Sequence, residues 1–317
     1  MSYTFMLLGF MLSAYSIVAN DAIQTLGTFL SSNSQRPWWV LWLFACTILT
    51  AVFAYGWLNY DGDVSYGRLE NFPIPDPFSW IYIVPPLILL GLTNLGIPVS
   101  TTFLILTVFN PQNLTNMLTK SLIGYGLAFI IGIFIYYFIS EKIEEESFNQ
   151  SKTENQPYWT ILQWVSTTFL WSQWLIQDLA NIFAYLPRKL DLLLLFFSLI
   201  IMLTLHAIIF YRNGGEIQQI VTSKINTQNI KSATIIDFIY GFILLFFKEY
   251  SKVPMSTTWV FIGLLAGREL AIAHRLKHRS LKDTGTIIIK DVGKAMIGLG
   301  VSIILAFFLP FLGQLIS

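Results

Sequence analysis

Charge is scarce in this 317-residue chain: Asp, Glu, Lys and Arg together make up 12%. That is roughly half the ~25% usual for soluble domains. Lys and Arg number 19 against 18 Asp and Glu, so the net charge of +1 points to no polyanionic partner and no nucleic acid. There is one cysteine, Cys46, which excludes an internal disulfide framework and any multi-cysteine metal site. Three histidines, His206, His274 and His278, show no zinc-ligand spacing with an acidic partner. The first twenty residues are apolar, but they lack a basic leader and a cleavage site, so no signal peptide is expected. What the chain has instead is apolar surface. Hydrophobic residues reach 55% and aromatics 16%, and mean hydropathy is +0.62. No soluble core of this size needs so much, and the chain reads as an all-α integral membrane protein in contact with lipid.

A membrane-crossing helix needs about 20 mostly apolar residues. Residues 1–20, 37–60, 121–140 and 295–317 carry no charge, and 43 uncharged residues separate Asp76 from Lys120. Residues 158–186 are apolar apart from Asp178, 192–211 apart from His206, and 233–267 read as apolar around KEYSK at 248–252. The hydrophilic stretch 141–157, EKIEEESFNQSKTENQP, divides the chain almost in half.

The halves repeat each other. VANDAIQTLG at 18–27 is matched by IQDLANIF at 176–183, and GIPVSTTF at 96–103 by KVPMSTTW at 252–259. Asp21 lies 79 residues before Ser100, and Asp178 lies 78 before Ser256. Each half then reads as a broken span, a full span, a Pro-interrupted hairpin (near 78–112 and 233–267) and a closing span, with a basic insertion of about 14 residues in the second half. An odd number of crossings per half inserts the second upside down, the inverted-repeat design of secondary transporters. The expected organisation is a first repeat at 1–140, a cytoplasmic linker at 141–157 and a second repeat at 158–317. Lys and Arg divide 13 to 4 between the two sides, which places the linker in the cytoplasm and both termini outside.

Two aspartates carry the chemistry. A carboxylate in the hydrocarbon region costs about 2.5–3.5 kcal/mol on insertion scales and is a functional candidate by default. Asp21 and Asp178 hold equivalent repeat positions, each beside an amide, Asn20 and Gln177. Gln24 and Asn181 follow three residues later on the same helical face. Carboxylate and carboxamide oxygens suit an alkali cation or a proton relay. A helix starting at Pro98 or Pro254 would aim free amides and three hydroxyls at the membrane middle, an anion site without permanent positive charge. Those hydroxyls belong to Ser100, Thr101 and Thr102, and to Ser256, Thr257 and Thr258. Lys248, Glu249 and Lys252 have no counterpart in the first half and read either as a paired hairpin tip or as a gating set. RLKHRSLK at 275–282 reads as a headgroup-facing segment.

VANDAIQTLG, IQDLANIFA, PVSTTF and PMSTTW resemble the paired signatures of the inorganic phosphate transporter (PiT) family, across essentially the whole chain. The resemblance implies an inverted-repeat fold and phosphate import coupled to Na⁺ or H⁺, with no cofactor and no enzymatic activity. It places Asn20, Gln177 and the six Ser and Thr residues around substrate, and Asp21, Gln24, Asp178 and Asn181 around the cation, with Asp21 and Asp178 as its metal ligands if the ion is Na⁺. Gln24, Gln177, Phe103, Trp259 and Ala184 depart from the signatures. Sulfate or another oxyanion and a passive anion channel are the alternatives, and oligomeric state, a homodimer included, is open.

Overall fold

The computed structural model describes residues 2–141, 143, 157–224, 227–250, 254–277 and 279–316. Its helices, in chain order, are α1 (Ser2–Ser32), α2 (Trp38–Asn59), α3 (Val84–Asn94), α4 (101–109), α5 (Pro111–Ile139), α6 (Pro157–Phe183), α7 (Leu192–Tyr211), α8 (Gln218–Thr222), α9 (Ile230–Tyr250), α10 (Thr257–Leu276) and α11 (Leu281–Ile316). Six of them, α1, α2, α5, α7, α9 and α11, are long and apolar enough to cross a membrane. The chain is a multi-pass membrane protein. Helices of this kind satisfy their own backbone groups, which lipid cannot do. Leu193, Ile289 and Phe138, at 79%, 73% and 72% exposure, mark surfaces that would be prohibitive in water and ordinary in lipid. Helix α6 spans 27 residues but carries Gln163, Gln173, Gln177, Asp178 and Asn181, so it is less apolar than the others.

The halves occupy equivalent surroundings. Helix α3 packs on α1 as α9 packs on α6. The arm after each Ser-Thr-Thr segment packs on the closing span of the other half, α4 on α11 and α10 on α5. Helices α2 and α7 pack on each other. Exchanging the halves maps these particular pairs onto one another.

Two expectations need correction. Neither first span is broken. Helix α1 stays continuous through a π turn at Val18–Ala22, and α6 is α-helical throughout. There is no proline or glycine in Val18–Ala22 or across Gln177–Asn181 to force a break. In α1 the Thr25 hydroxyl donates to the Asp21 carbonyl at 3.1 Å, satisfying an acceptor in the widened turn. The two hairpins also differ in size. In the first, α3 and α4 are short arms. In the second, α9 and α10 span 21 and 20 residues. Much of the basic insertion is helix, because α10 runs on to Leu276. Arg268 and Glu269 are buried there. The expected linker lies almost wholly outside the described residues.

The tight packing of α5 on α10 rests on small residues. Gly124, Ala128 and Gly132 recur every fourth residue on α5, and Gly263, Gly267 and Ala271 do so on α10. This small-residue spacing lets helix backbones approach closely in lipid. A Cβ on Gly267 would meet the Phe129 carbonyl oxygen at 2.0 Å, and one on Gly263 the Tyr125 carbonyl oxygen at 2.5 Å. Backbone cannot swing aside as a side chain can, so the helices would have to part. Gly267→Ala should destabilise the fold by about 3 kcal/mol or more, the upper range for overpacking. Gly126→Ala, on α5 with nothing within 4 Å, should be neutral. Thermal unfolding in detergent compares them; equal midpoints for both variants would contradict this packing.

One membrane face is built from loops. Leu190 N–H donates to the Gly62 carbonyl at 3.0 Å, and the Asn110 amide to the Asn71 carbonyl at 2.8 Å. The Phe78 N–H donates to the Ser2 hydroxyl at 3.0 Å, so the start of α1 lies at this loop face.

Candidate functional site

The two Pro-x-Ser-Thr-Thr segments meet in the interior as extended stretches that each turn into a helix. Ser256 caps α10, its hydroxyl accepting from the Trp259 N–H at 3.2 Å. Ser100 does the same for Phe103 N–H at 3.3 Å. The extended stretches are tied reciprocally. Thr102 donates its hydroxyl to the Met255 carbonyl at 3.2 Å, and Thr258 donates to the Val99 carbonyl at 3.2 Å. Exchanging the halves turns one bond into the other. Phe103 and Trp259, the residues after each motif, meet edge-on with centroids 6.1 Å apart. Aromatic rings here seal the contact between the two segments.

Asp21 and Asp178 approach this junction from α1 and α6 and are joined by side chains. The Thr101 hydroxyl donates to Asp21 Oδ2. The Asn181 amide nitrogen lies 3.0 Å from the Thr101 hydroxyl, 3.2 Å from the Thr102 hydroxyl and 2.8 Å from Asp178 Oδ1, its two hydrogens shared among these three acceptors. An unbroken polar chain thus runs from one carboxylate to the other, across both halves. Asn20 donates to Asp21 Oδ1 and to the Val99 carbonyl, each at 2.7 Å. Gln24 donates to Asn20 at 3.4 Å, and Gln177 to the Leu244 carbonyl at 2.9 Å. Tyr240 fixes the other segment by donating to the Thr257 carbonyl at 3.0 Å.

Everything in this cluster is shut off from solvent; Asp21 is 2% exposed and Asp178 1%. Yet it is not saturated. Gln24 Oε1, Gln177 Oε1, Asp178 Oδ2 and Asn181 Oδ1 are buried with no hydrogen-bond partner. Buried acceptors without partners are costly. All four are oxygens, hard ligands of the kind that hold an alkali cation. Oxygens of this chemical kind suit Na⁺.

The twelve sequence-derived residues all lie buried in the interior, and the hydrogen bonds place most of them in this one cluster. Ser100 and Ser256 are there as helix caps. Lys248 pairs with Glu249 at 3.1 Å near the end of α9, away from the aspartates in the described hydrogen bonds, and Lys252 lies outside the described residues. A third buried aspartate was not singled out. Asp237 on α9 is fully buried and accepts from Thr28, from Thr167 at 2.5 Å and from Gln163 at 3.4 Å. It joins α1, α6 and α9. The signal was available, since an acid inside an apolar span is notable wherever it falls. What hid it was the lack of a counterpart, because the first half has no acid between Asp76 and Lys120.

No protein-family model matches this sequence, and no curated protein sequence does. A solved structure does match in shape. It is described as the sodium-dependent phosphate transporter, with a TM-score of 0.65 and 15% identity over 99% of this chain and 98% of that one. At that identity the likeness is one of fold, and this chain has the helical membrane fold of that transporter from end to end.

Proposed function

We propose that this protein is a secondary transporter of inorganic phosphate driven by Na⁺, with H⁺ as the alternative coupling ion. The observation that carries the reading is the buried chain Asp21–Thr101–Asn181–Asp178, flanked by oxygens that have no partner. The likeness of fold to a sodium-dependent phosphate transporter supports the choice of ion and anion. Asp21, Gln24, Asp178 and Asn181 hold the cation. Thr101, Thr102, Thr257 and Thr258, with the helix starts capped by Ser100 and Ser256, receive the anion, and Asn20 and Gln177 position the segments.

Coupling follows from charge. Two buried carboxylates repel a multiply charged anion. At about 4 Å and an effective dielectric of 20, each unit pair costs about 4 kcal/mol, roughly a thousandfold in affinity. A cation on each carboxylate removes that cost. The cation also competes for Asp21 Oδ2, which frees the Thr101 hydroxyl to donate to the anion instead. The residues 1–140 and 158–317 act as inverted repeats that rock about the site, with the 141–157 linker cytoplasmic and the loop face outside.

Counterflow of labelled phosphate in proteoliposomes, with unlabelled sulfate as competitor, tests the substrate. Phosphate can donate a proton to a carboxylate and sulfate cannot, so phosphate should exchange and sulfate should compete weakly. Equal competition by sulfate would assign a general oxyanion carrier. Phosphate flux without counterflow would assign a channel.

A further inference from the structure

Two basic side chains near the loop face are buried. Arg68 sits in the loop between α2 and α3, and Lys120 in the outer turns of α5. They are only 6% and 7% exposed. Their charges act on each other, and the carboxylate that acts on Arg68 is Asp178. Arg68 is therefore covered from solvent and within electrostatic range of Asp178. Its Nε and one terminal nitrogen are buried without a hydrogen-bond partner. Burial draws the guanidinium down to about 10, with Asp178 acting in the opposite direction.

Burying one cation is costly, and burying two like charges close together costs more. An arginine fork with unused donors matches a tetrahedral oxyanion, which it grips through two parallel hydrogen bonds. We propose that Arg68 and Lys120 form an anion-receiving site on the loop side of Asp178, where the oxyanion is held before it enters the central site. This inference rests on the proposed transport of phosphate. It also gives the order of events a physical cause. While Asp178 is bare, its charge opposes an anion at Arg68. Once a cation neutralises Asp178, that repulsion is gone and the anion can bind the guanidinium. Neither residue belongs to the repeated motifs, so the site would act from the loop face alone.

The probe is labelled inorganic phosphate, bound to purified full-length protein in a phosphate-free detergent. Arg68→Gln should weaken binding roughly ten- to hundred-fold, the range for lost hydrogen bonds to a charged group. Arg68→Lys should recover part of that loss, and Lys120→Met should weaken binding several-fold. In proteoliposomes the loss should fall on KM for phosphate, with kcat nearly unchanged. A merely structural role would lower the melting point and kcat together and would not be rescued by lysine. If Arg68→Gln does not fold, Arg68→Lys and Lys120→Met read the same affinity, and wild-type affinity in both overturns the proposal. Wild-type affinity in a folded Arg68→Gln overturns it as well and leaves the transport reading standing. Failure of the wild type to bind phosphate at all removes both. If phosphatidylglycerol displaces phosphate from the wild type, the site holds a lipid headgroup and the proposal is wrong.

Discussion

Asp21→Asn and Asp178→Asn should each abolish sodium-driven accumulation of phosphate, by at least a hundredfold, while the protein still inserts and folds. The side chain keeps its size, and an amide can still meet Thr101 or Asn181 in the polar chain. What it loses is the negative charge. An amide holds Na⁺ weakly and cannot take up or release a proton. With one charge fewer to neutralise, anion binding depends less on the cation. The sharper expectation is therefore partial decoupling: phosphate binding to either variant should depend less steeply on sodium than in the wild type, because one of the two repelling charges that sodium neutralises is gone. Binding isotherms with and without Na⁺ read this directly. Sodium-driven accumulation at the wild-type level by either variant would mean that these carboxylates do not couple transport.

Thr101→Val has the next largest expected effect. Valine keeps the shape and removes the hydroxyl that donates to Asp21 and accepts from Asn181. The bridge between the halves is then cut, and a buried carboxylate oxygen loses its donor. Hydrogen bonds to charged groups are worth about 1.5–3 kcal/mol, so phosphate affinity should fall roughly ten- to hundred-fold. Thr257→Val, at the equivalent position, should lose a comparable amount. Thr107 is the control. It is fully buried in α4, but its hydroxyl donates to the Phe103 carbonyl within its own helix. Thr107→Val should change affinity little. Thr102 and Thr258, whose hydroxyls hold the opposite segment's carbonyls, should shift the dependence on Na⁺ more than that on phosphate. Equal losses at Thr107 and Thr101 would show a generic cost of removing a membrane hydroxyl and would dismiss Thr101 as a ligand.

The site was legible because polar residues are conspicuous in an apolar sequence. Asn20-Asp21 and the Ser-Thr-Thr motifs stand out against long runs of Leu, Ile and Phe, and their equal spacing linked the halves before any coordinates. The spans α2 and α7 were read from length and hydropathy alone, whereas α11 begins at Leu281, well before the uncharged stretch 295–317. Less could be read where the physics depends on a partner. The reciprocal Thr102–Met255 and Thr258–Val99 bonds join residues more than 150 positions apart, and no local pattern announces them. The expected break at Asp21 is a π turn, because neighbouring side chains satisfy what a break would have exposed. The glycine seam between α5 and α10 passed unnoticed, since small residues at a four-residue spacing matter only when a second helix lies against them. Arg68 and Lys120 counted only as loop charges, because sequence gives their sign and not their burial.

The central claim is that a cation on Asp21 and Asp178 is what permits the anion to bind and move. Proteoliposomes loaded with potassium and diluted into sodium, at equal phosphate inside and out, test it most directly. The account predicts transient accumulation of labelled phosphate above equilibrium, which collapses when a sodium ionophore is added. In a potassium-only dilution with an inward pH gradient, accumulation would assign H⁺ as the ion on the same carboxylates. Phosphate that merely equilibrates under both gradients would contradict the account.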